Sequence, residues 1–228
     1  QLFLIKKEEL KEETKYNYLN AIKKLLTQID KPLTEMTDID IKQYLRWYER
    51  RNEDKTGKIN KPSTVNNERR YLSAFFNWMR IEKLMFDNPV ESVGKKRTDK
   101  GQIDYYTQEE LEKLREGCQT KRDRAMIEVL RSTGLRVGEF CSINISDVDF
   151  RTGDVWIKRE KGGLNTPAFI DEAAMYYLRE YLNEREDNCE SLIVGKRAPY
   201  SRLKPCGVRA VLKDIARRQG MSCKVYPH

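Results

Sequence analysis

The stretch Ser132-Thr-Gly-Leu-Arg-Val-Gly-Glu-Phe-Cys-Ser-Ile143, followed after three residues by Asp147-Val-Asp-Phe150, decides how the rest of the chain is read. Upstream of it, Arg122 to Thr133 places Ala125, Met126, Val129 and Leu130 at the steps of an amphipathic helix. Gly134 is a natural left-handed stop for that helix. A second, short helix is predicted from Val137 to Ile143. Arg136 therefore stands at a helix start, where a guanidinium and backbone N–H groups can jointly hold a phosphate. Glu139, three residues on, lies on the same helical side and can orient the arginine. The plainer alternative is a helix corner carrying an exposed Arg–Glu ion pair.

Downstream of this corner, Val148-Asp149-Phe150, Val155-Trp156-Ile157 and Ala168-Phe169-Ile170 read as three strands of a small sheet. Arg151-Thr-Gly-Asp154 and Lys161-Gly-Gly163 separate them. Helices resume at Asp171–Arg185 and Ser201–Gln219. Upstream, Thr107-Gln-Glu-Glu110 is a capping box, and Leu111 and Leu114 begin the apolar stripe behind it.

The amino-terminal part has the 3.6-residue period throughout. Thr14 to Ile29 carries Tyr18, Leu19, Ile22, Leu25, Leu26 and Ile29 along one face. Thr37 or Asp38 can cap a second helix with Ile41, Tyr44, Leu45 and Tyr48 inward. Residues 51–61 are polar with one glycine and read as a loop. Pro62-Ser63-Thr64 opens a third helix, either hydroxyl being available as its cap, with Val65, Leu72, Phe75, Phe76 and Met79 inward. That helix is expected to end before Asp87-Asn88-Pro89, since the residue before proline avoids the helical region. Gly94 to Gly101 is charged and lacks apolar periodicity, so a domain boundary belongs there. The predicted organisation is a helical domain over 1–93, a linker over 94–103 and a second domain over 104–228. The fold class is mainly α with a small antiparallel sheet: an all-α domain followed by an α+β domain.

Composition narrows the function classes. Hydrophobic residues at 39% suffice for a core, while charged residues at 35% imply a heavily charged surface. No apolar run approaches the roughly 18–20 residues needed to cross a bilayer. Lys6 and Lys7 follow only five mostly apolar residues, so no signal peptide is read there. Five widely spaced cysteines without a C-x-x-C pair, and one histidine, argue against a zinc site and for a reduced, cytoplasmic setting. The net charge is +8, with 22 basic against 16 acidic residues up to Lys100 and 22 against 20 beyond it. Such an excess suits a polyanionic partner, because phosphate neutralisation releases condensed counterions.

Taken together in their order and spacing, these motifs resemble the phage integrase family of tyrosine recombinases. Thr133-Gly134-Leu135-Arg136-x-x-Glu139 resembles that family's first catalytic box, and the Ile143/Asp147 spacing into a strand fits as well. Lys161, before Gly162-Gly163, occupies the place of the family's catalytic lysine; the turn lacks a second basic residue after the glycines, which leaves Lys158 as the alternate. Lys224-Val-Tyr-Pro-His228 resembles the lead-in to a His-x-x-Arg box. Glu13-Thr14-x-x-x-Tyr18, Ser63-Thr64-x-x-Asn67, Phe76-x-Trp78 and Asn88-Pro89-Val90 resemble the family's SAM-like core-binding domain.

The resemblance implies a site-specific DNA recombinase that grips duplex DNA between two domains and attacks a phosphate with a tyrosine, with no metal or cofactor. It implies Arg136 on the phosphate oxygens, Glu139 orienting it, Lys161 as general acid and His228 as general base. Thr14, Lys15, Asn66, Asn67, Arg69 and Arg70 are the implied DNA contacts. The second arginine and the nucleophilic tyrosine have no match among these 228 residues, since Tyr200, Tyr226 and the other tyrosines precede or adjoin the histidine box. The implied fragment binds DNA without cleaving it, and the full-length protein assembles as a tetramer on DNA. The alternative from another class is a non-catalytic DNA-binding regulator related to integrases.

Overall fold

The computed structural model describes residues 2–6, 8–99, 105–157 and 166–221. The chain divides into two compact units, Gln1–Gln102 and Ile103–His228.

In the first unit the helices are α1 (Leu2–Ile5), α2 (Glu12–Gln28), α3 (Asp38–Arg50), α4 (Glu53–Thr56) and α5 (Pro62–Ile81). Thr37 caps α3: its hydroxyl accepts from the Asp40 amide at 3.4 Å, while the Asp40 carboxylate accepts from the Thr37 amide at 2.7 Å. Helices α2, α3 and α5 each turn one apolar stripe inward, so Ala21, Leu25, Ile41, Tyr44, Leu72 and Phe76 are fully buried. Burying such side chains contributes roughly 1.5–3 kcal/mol each. Phe3 closes one end of this core, with Tyr18 and Phe75 edge-on to it at 5.3 Å. Among the described residues of this unit one carboxylate, Glu68, enters the core and is matched there by the Tyr44 hydroxyl at 2.7 Å and the Lys24 ammonium at 2.9 Å. Burial first, and then the Glu68 carboxylate, push the Tyr44 phenol well above its ordinary pKa.

The second unit holds α6 (Gln108–Glu116), α7 (Lys121–Thr133), α8 (Val137–Ser142), β1 (Asp154–Ile157), β2 (Thr166–Phe169), α9 (Glu172–Asn183) and α10 (Pro205–Arg218). The Thr107–Glu110 box caps α6. Helix α7 runs through the core, with Ala125, Met126 and Val129 fully buried, and packs mainly on α9 through Ala174 and Leu178. Strands β1 and β2 pair antiparallel, Asp154 opposite Phe169 and Ile157 opposite Thr166.

Several sequence expectations need correction. Among the described residues only two strands form: Val148 makes one bridge to Val155, and the ladder stops there. The reason is Asp149, whose carboxylate accepts from the amides of Arg151 and Thr152 at 2.8 and 3.1 Å and closes a turn in place of a strand. Neither Ser63 nor Thr64 caps α5. Pro62 already occupies the first turn, which needs no N–H from it, and Lys61 is the cap residue without a side-chain bond. Residues 51–61 contain the single turn α4, ended by Gly57 at φ +64°. The last helix begins at Pro205 because Arg202 and Leu203 are extended: Arg202 bridges Val194, and the Leu203 amide donates to Ile193. The contacts of the first unit also continue past Gly94 to Lys96, whose ammonium meets Glu49 at 2.5 Å.

Candidate functional site

Helix α7 ends where Gly134, at φ +60°, donates its amide to Leu130. Leu135 turns inward, and Arg136 takes an extended conformation as the residue before α8. The Arg136 amide donates to one Glu139 oxygen at 3.0 Å, and its guanidinium donates to the other at 3.0 Å. The Glu139 side chain is 8% exposed and that of Arg136 is 69% exposed. A buried carboxylate thus holds the backbone and one edge of an arginine whose side chain is otherwise largely exposed. Beneath it, Val137, Phe140 and Cys141 fix α8 to the core. Burial pushes the Cys141 thiol up to about 11, which keeps it protonated at neutral pH.

The corner is fastened from two sides that the sequence does not advertise. On the α7 side, Glu128 is 1% exposed and accepts from Arg115 Nε at 2.7 Å, Arg124 Nε at 2.9 Å and Arg131 Nε at 2.9 Å. Arg131 also reaches Asp171 at 2.5 Å, the residue that caps α9. Next to it, the Ser132 hydroxyl accepts from the Asp171 amide at 2.7 Å and donates to the Phe169 carbonyl at 3.1 Å. On the α8 side, Arg202 donates to the Cys141 carbonyl at 3.0 Å, the Ile143 carbonyl at 3.2 Å and the Asn144 side-chain oxygen at 2.5 Å.

Among the remaining sequence candidates, Lys161, its alternate Lys158, and His228 lie outside the described residues. The strands flanking the two lysines are described, and Ile157–Thr166 is the last pair on that side. In the first unit the six candidates fall into three pairs. Asn66 is bound to the backbone of Lys96 in both directions, at 2.9 Å each way. Arg69 donates to the carbonyls of Val93 and Val90, at 2.5 and 3.0 Å, so both side chains latch the segment after α5. Lys15 is paired with Glu12 at 2.8 Å, and Thr14 is half-buried in the first turn of α2. Asn67 and Arg70 are exposed and border a groove of about 570 Å³ that Ser73, Asn77 and Lys95 also line. Among the described residues there is no His/Cys/Asp/Glu cluster able to hold a metal, and no helix long and apolar enough to cross a membrane.

Residues 104–228 match the family model of the phage integrase family, and residues 4–84 match that of the phage integrase N-terminal SAM-like domain. A tyrosine recombinase of Thermosipho africanus is 22% identical over 220 residues, 95% of this chain and 76% of the relative. Tyrosine recombinase XerA of Pyrococcus furiosus is 34% identical over 125 residues, 54% of this chain and 43% of the relative. A lambda integrase tetramer bound to a Holliday junction superposes with a TM-score of 0.76 at 19% identity, covering 98% of this chain and 65% of that one. The fold is that of these integrases.

Proposed function

The chain belongs to the phage integrase family, and from that premise we propose that it is part of a site-specific DNA recombinase whose Arg136 contacts the phosphate at which a strand is broken and rejoined. The observation that carries the reading is the Arg136–Glu139 pair: an exposed guanidinium fixed in place by a buried carboxylate. Such a group meets charge that develops on a phosphorane without having to reorganise first, where donors contribute most to rate. Glu139 orients it. Lys161 is the general acid that protonates the departing 5′ oxygen, with Lys158 the alternate, and His228 is the general base toward the attacking tyrosine. That tyrosine and a second arginine come from outside these residues. The product of the first step is a 3′-phosphotyrosyl bond and a free 5′ hydroxyl, which conserves the energy of the broken bond and requires no metal or nucleotide.

The first unit supplies a duplex-binding face. Asn67, Arg70 and Lys95 along the groove are its direct contacts, and Asn66 and Arg69 shape it by holding the segment after α5; Thr14 and Lys15 extend it. In the full-length protein, four copies assemble on paired DNA sites in the cytoplasm. The 228-residue chain binds duplex DNA and forms no covalent adduct with it.

Electrophoretic mobility shift across a salt series tests the reading. Affinity falls linearly on logarithmic axes, and Arg136→Ala lowers the slope by about 0.9, one phosphate contact. Salt-independent affinity, an unchanged slope in Arg136→Ala, or a covalent adduct with the 228-residue chain would each overturn it.

A further inference from the structure

Helix α8 has six residues, a length of roughly 9 Å, and a helix this short does not hold itself. Its place is set by the packing of Val137, Phe140 and Cys141 on the core together with what is tied at its ends. At the amino end stands the Arg136–Glu139 pair. At the carbonyl end the unpaired C=O groups need donors, and a cation is favoured there. Arg202 meets both needs with one planar fork, through the Cys141 and Ile143 carbonyls and the Asn144 side chain.

Arg202 is itself held in an extended segment. It bridges Val194, the following Leu203 amide donates to Ile193, and Glu190 lies 3.6 Å from its guanidinium. The segment it pairs with reaches the end of α8 as well, because the Leu192 amide donates to the Ile143 carbonyl at 2.9 Å. The carbonyl end of α8 is therefore tied to structure outside the helix by a guanidinium, while the Arg136–Glu139 pair lies within its first turn and moves with it.

We propose that Arg202 is a positioning residue for Arg136: by clamping the carbonyl end of α8 it sets the angle at which the Arg136 guanidinium is presented. The inference rests on the phosphate-binding reading of Arg136. Arg202 acts through the helix, contributing no phosphate contact of its own. The lever is short. A tilt of about 6° at the carbonyl end shifts the amino end by roughly 1 Å, and a misplacement of that size costs about a hundredfold in a reaction that depends on alignment.

The test is a double-mutant cycle on the 228-residue chain, read as affinity for a fluorescein-labelled duplex of arbitrary sequence at fixed salt. Arg136→Ala weakens binding about fivefold, and Arg202→Ala by a similar factor. Combined, they weaken it no further than Arg136→Ala alone, because the clamp then has nothing left to aim. Arg202→Lys, which keeps the cation but not the fork, recovers part of the loss in the native background and changes nothing beside Arg136→Ala. Should Arg202→Ala fail to fold, Arg202→Gln carries the same cycle.

Losses that multiply would make Arg202 an independent contact or a general stabiliser and overturn the proposal. So would native affinity in Arg202→Ala or Arg202→Gln. No effect of Arg136→Ala would remove the phosphate reading itself, and this inference with it. The two failures are therefore distinguishable.

Discussion

Replacing Glu128 by glutamine leaves the shape of the side chain and removes its charge, at a position 1% exposed and facing three guanidiniums. The native carboxylate accepts from Arg115 through both Nε and Nη2, at 2.7 and 2.9 Å, and from the Nε atoms of Arg124 and Arg131. Glutamine offers one oxygen and turns an NH2 toward donors that need acceptors. Breaking a buried ion pair from one side costs about 3–5 kcal/mol. The arginines are themselves partly exposed and keep other carboxylates, Glu112 for Arg115 and Asp171 for Arg131, so the lower figure applies. A loss of about 3 kcal/mol in the second unit lowers its melting temperature by roughly 10 °C.

The pH dependence sharpens the same test. Burial works against the Glu128 charge, but hydrogen bonds from Arg115 and Arg131 outweigh it and hold the pKa below the ordinary 4.5. A carboxylate depressed in the folded state contributes stability that is present above its unfolded pKa and lost as pH falls through the folded value. Native stability therefore declines below about pH 4.5, and part of that decline disappears in Glu128→Gln. Scanning calorimetry of both proteins from pH 7 to about pH 3 reads both effects. A loss under about 1 kcal/mol at neutral pH, or parallel pH profiles, would show that solvent screens the cluster and refute the reasoning.

Two glycines with positive φ separate two kinds of strain. A Cβ on Gly134 meets nothing within 4 Å, so Gly134→Ala costs only the conformational penalty, about 1–2 kcal/mol by chemical denaturation. On Gly153 it would lie 2.4 Å from the Ile170 carbonyl oxygen, and Gly153→Ala costs roughly 3 kcal/mol or more. In the first unit, Tyr44→Phe removes the hydroxyl that meets buried Glu68 and lowers stability by about 1–3 kcal/mol. Asn66→Ala releases the Lys96 backbone from α5, and limited proteolysis then cuts around residues 94–99 faster than in the native chain, with the helical content unchanged.

What could be read from the sequence was local. The Arg136 corner needs only a helical period, a glycine that ends it and a carboxylate three residues on, all within one short stretch. The three long helices of the first unit, α2, α3 and α5, were legible for the same reason: their apolar stripes repeat within single segments, which the short α1 and α4 do not offer. Of the ion cluster at Glu128, the helical neighbours Arg124 and Arg131 stand at visible spacings, but Arg115 arrives from another helix. Arg202 contacts carbonyls 59 and 61 residues away, and no pattern in its own neighbourhood points to them. The missing third strand failed for the opposite reason. The apolar period at Val148 suggested a ladder, but the Asp149 carboxylate took the next amides for a turn. Asn66 and Arg69 looked like contacts for an outside partner because their type and spacing say nothing about the backbone of Val90–Lys96 folding back onto them.

The Ser132 hydroxyl, between the Phe169 carbonyl and the Asp171 amide, has a mechanical consequence. It pins the last turn of α7, two residues before the left-handed bend, to the strand that leads out of the stretch containing Lys158 and Lys161. With Arg131 on Asp171 beside it, the arginine corner and the hairpin share one rivet and form a single jaw. A force that shifts the hairpin along its axis pulls the corner with it. Ser132→Ala takes out the hydroxyl's two bonds and leaves the Arg131–Asp171 pair and the packing of α7 on α9 to carry that load.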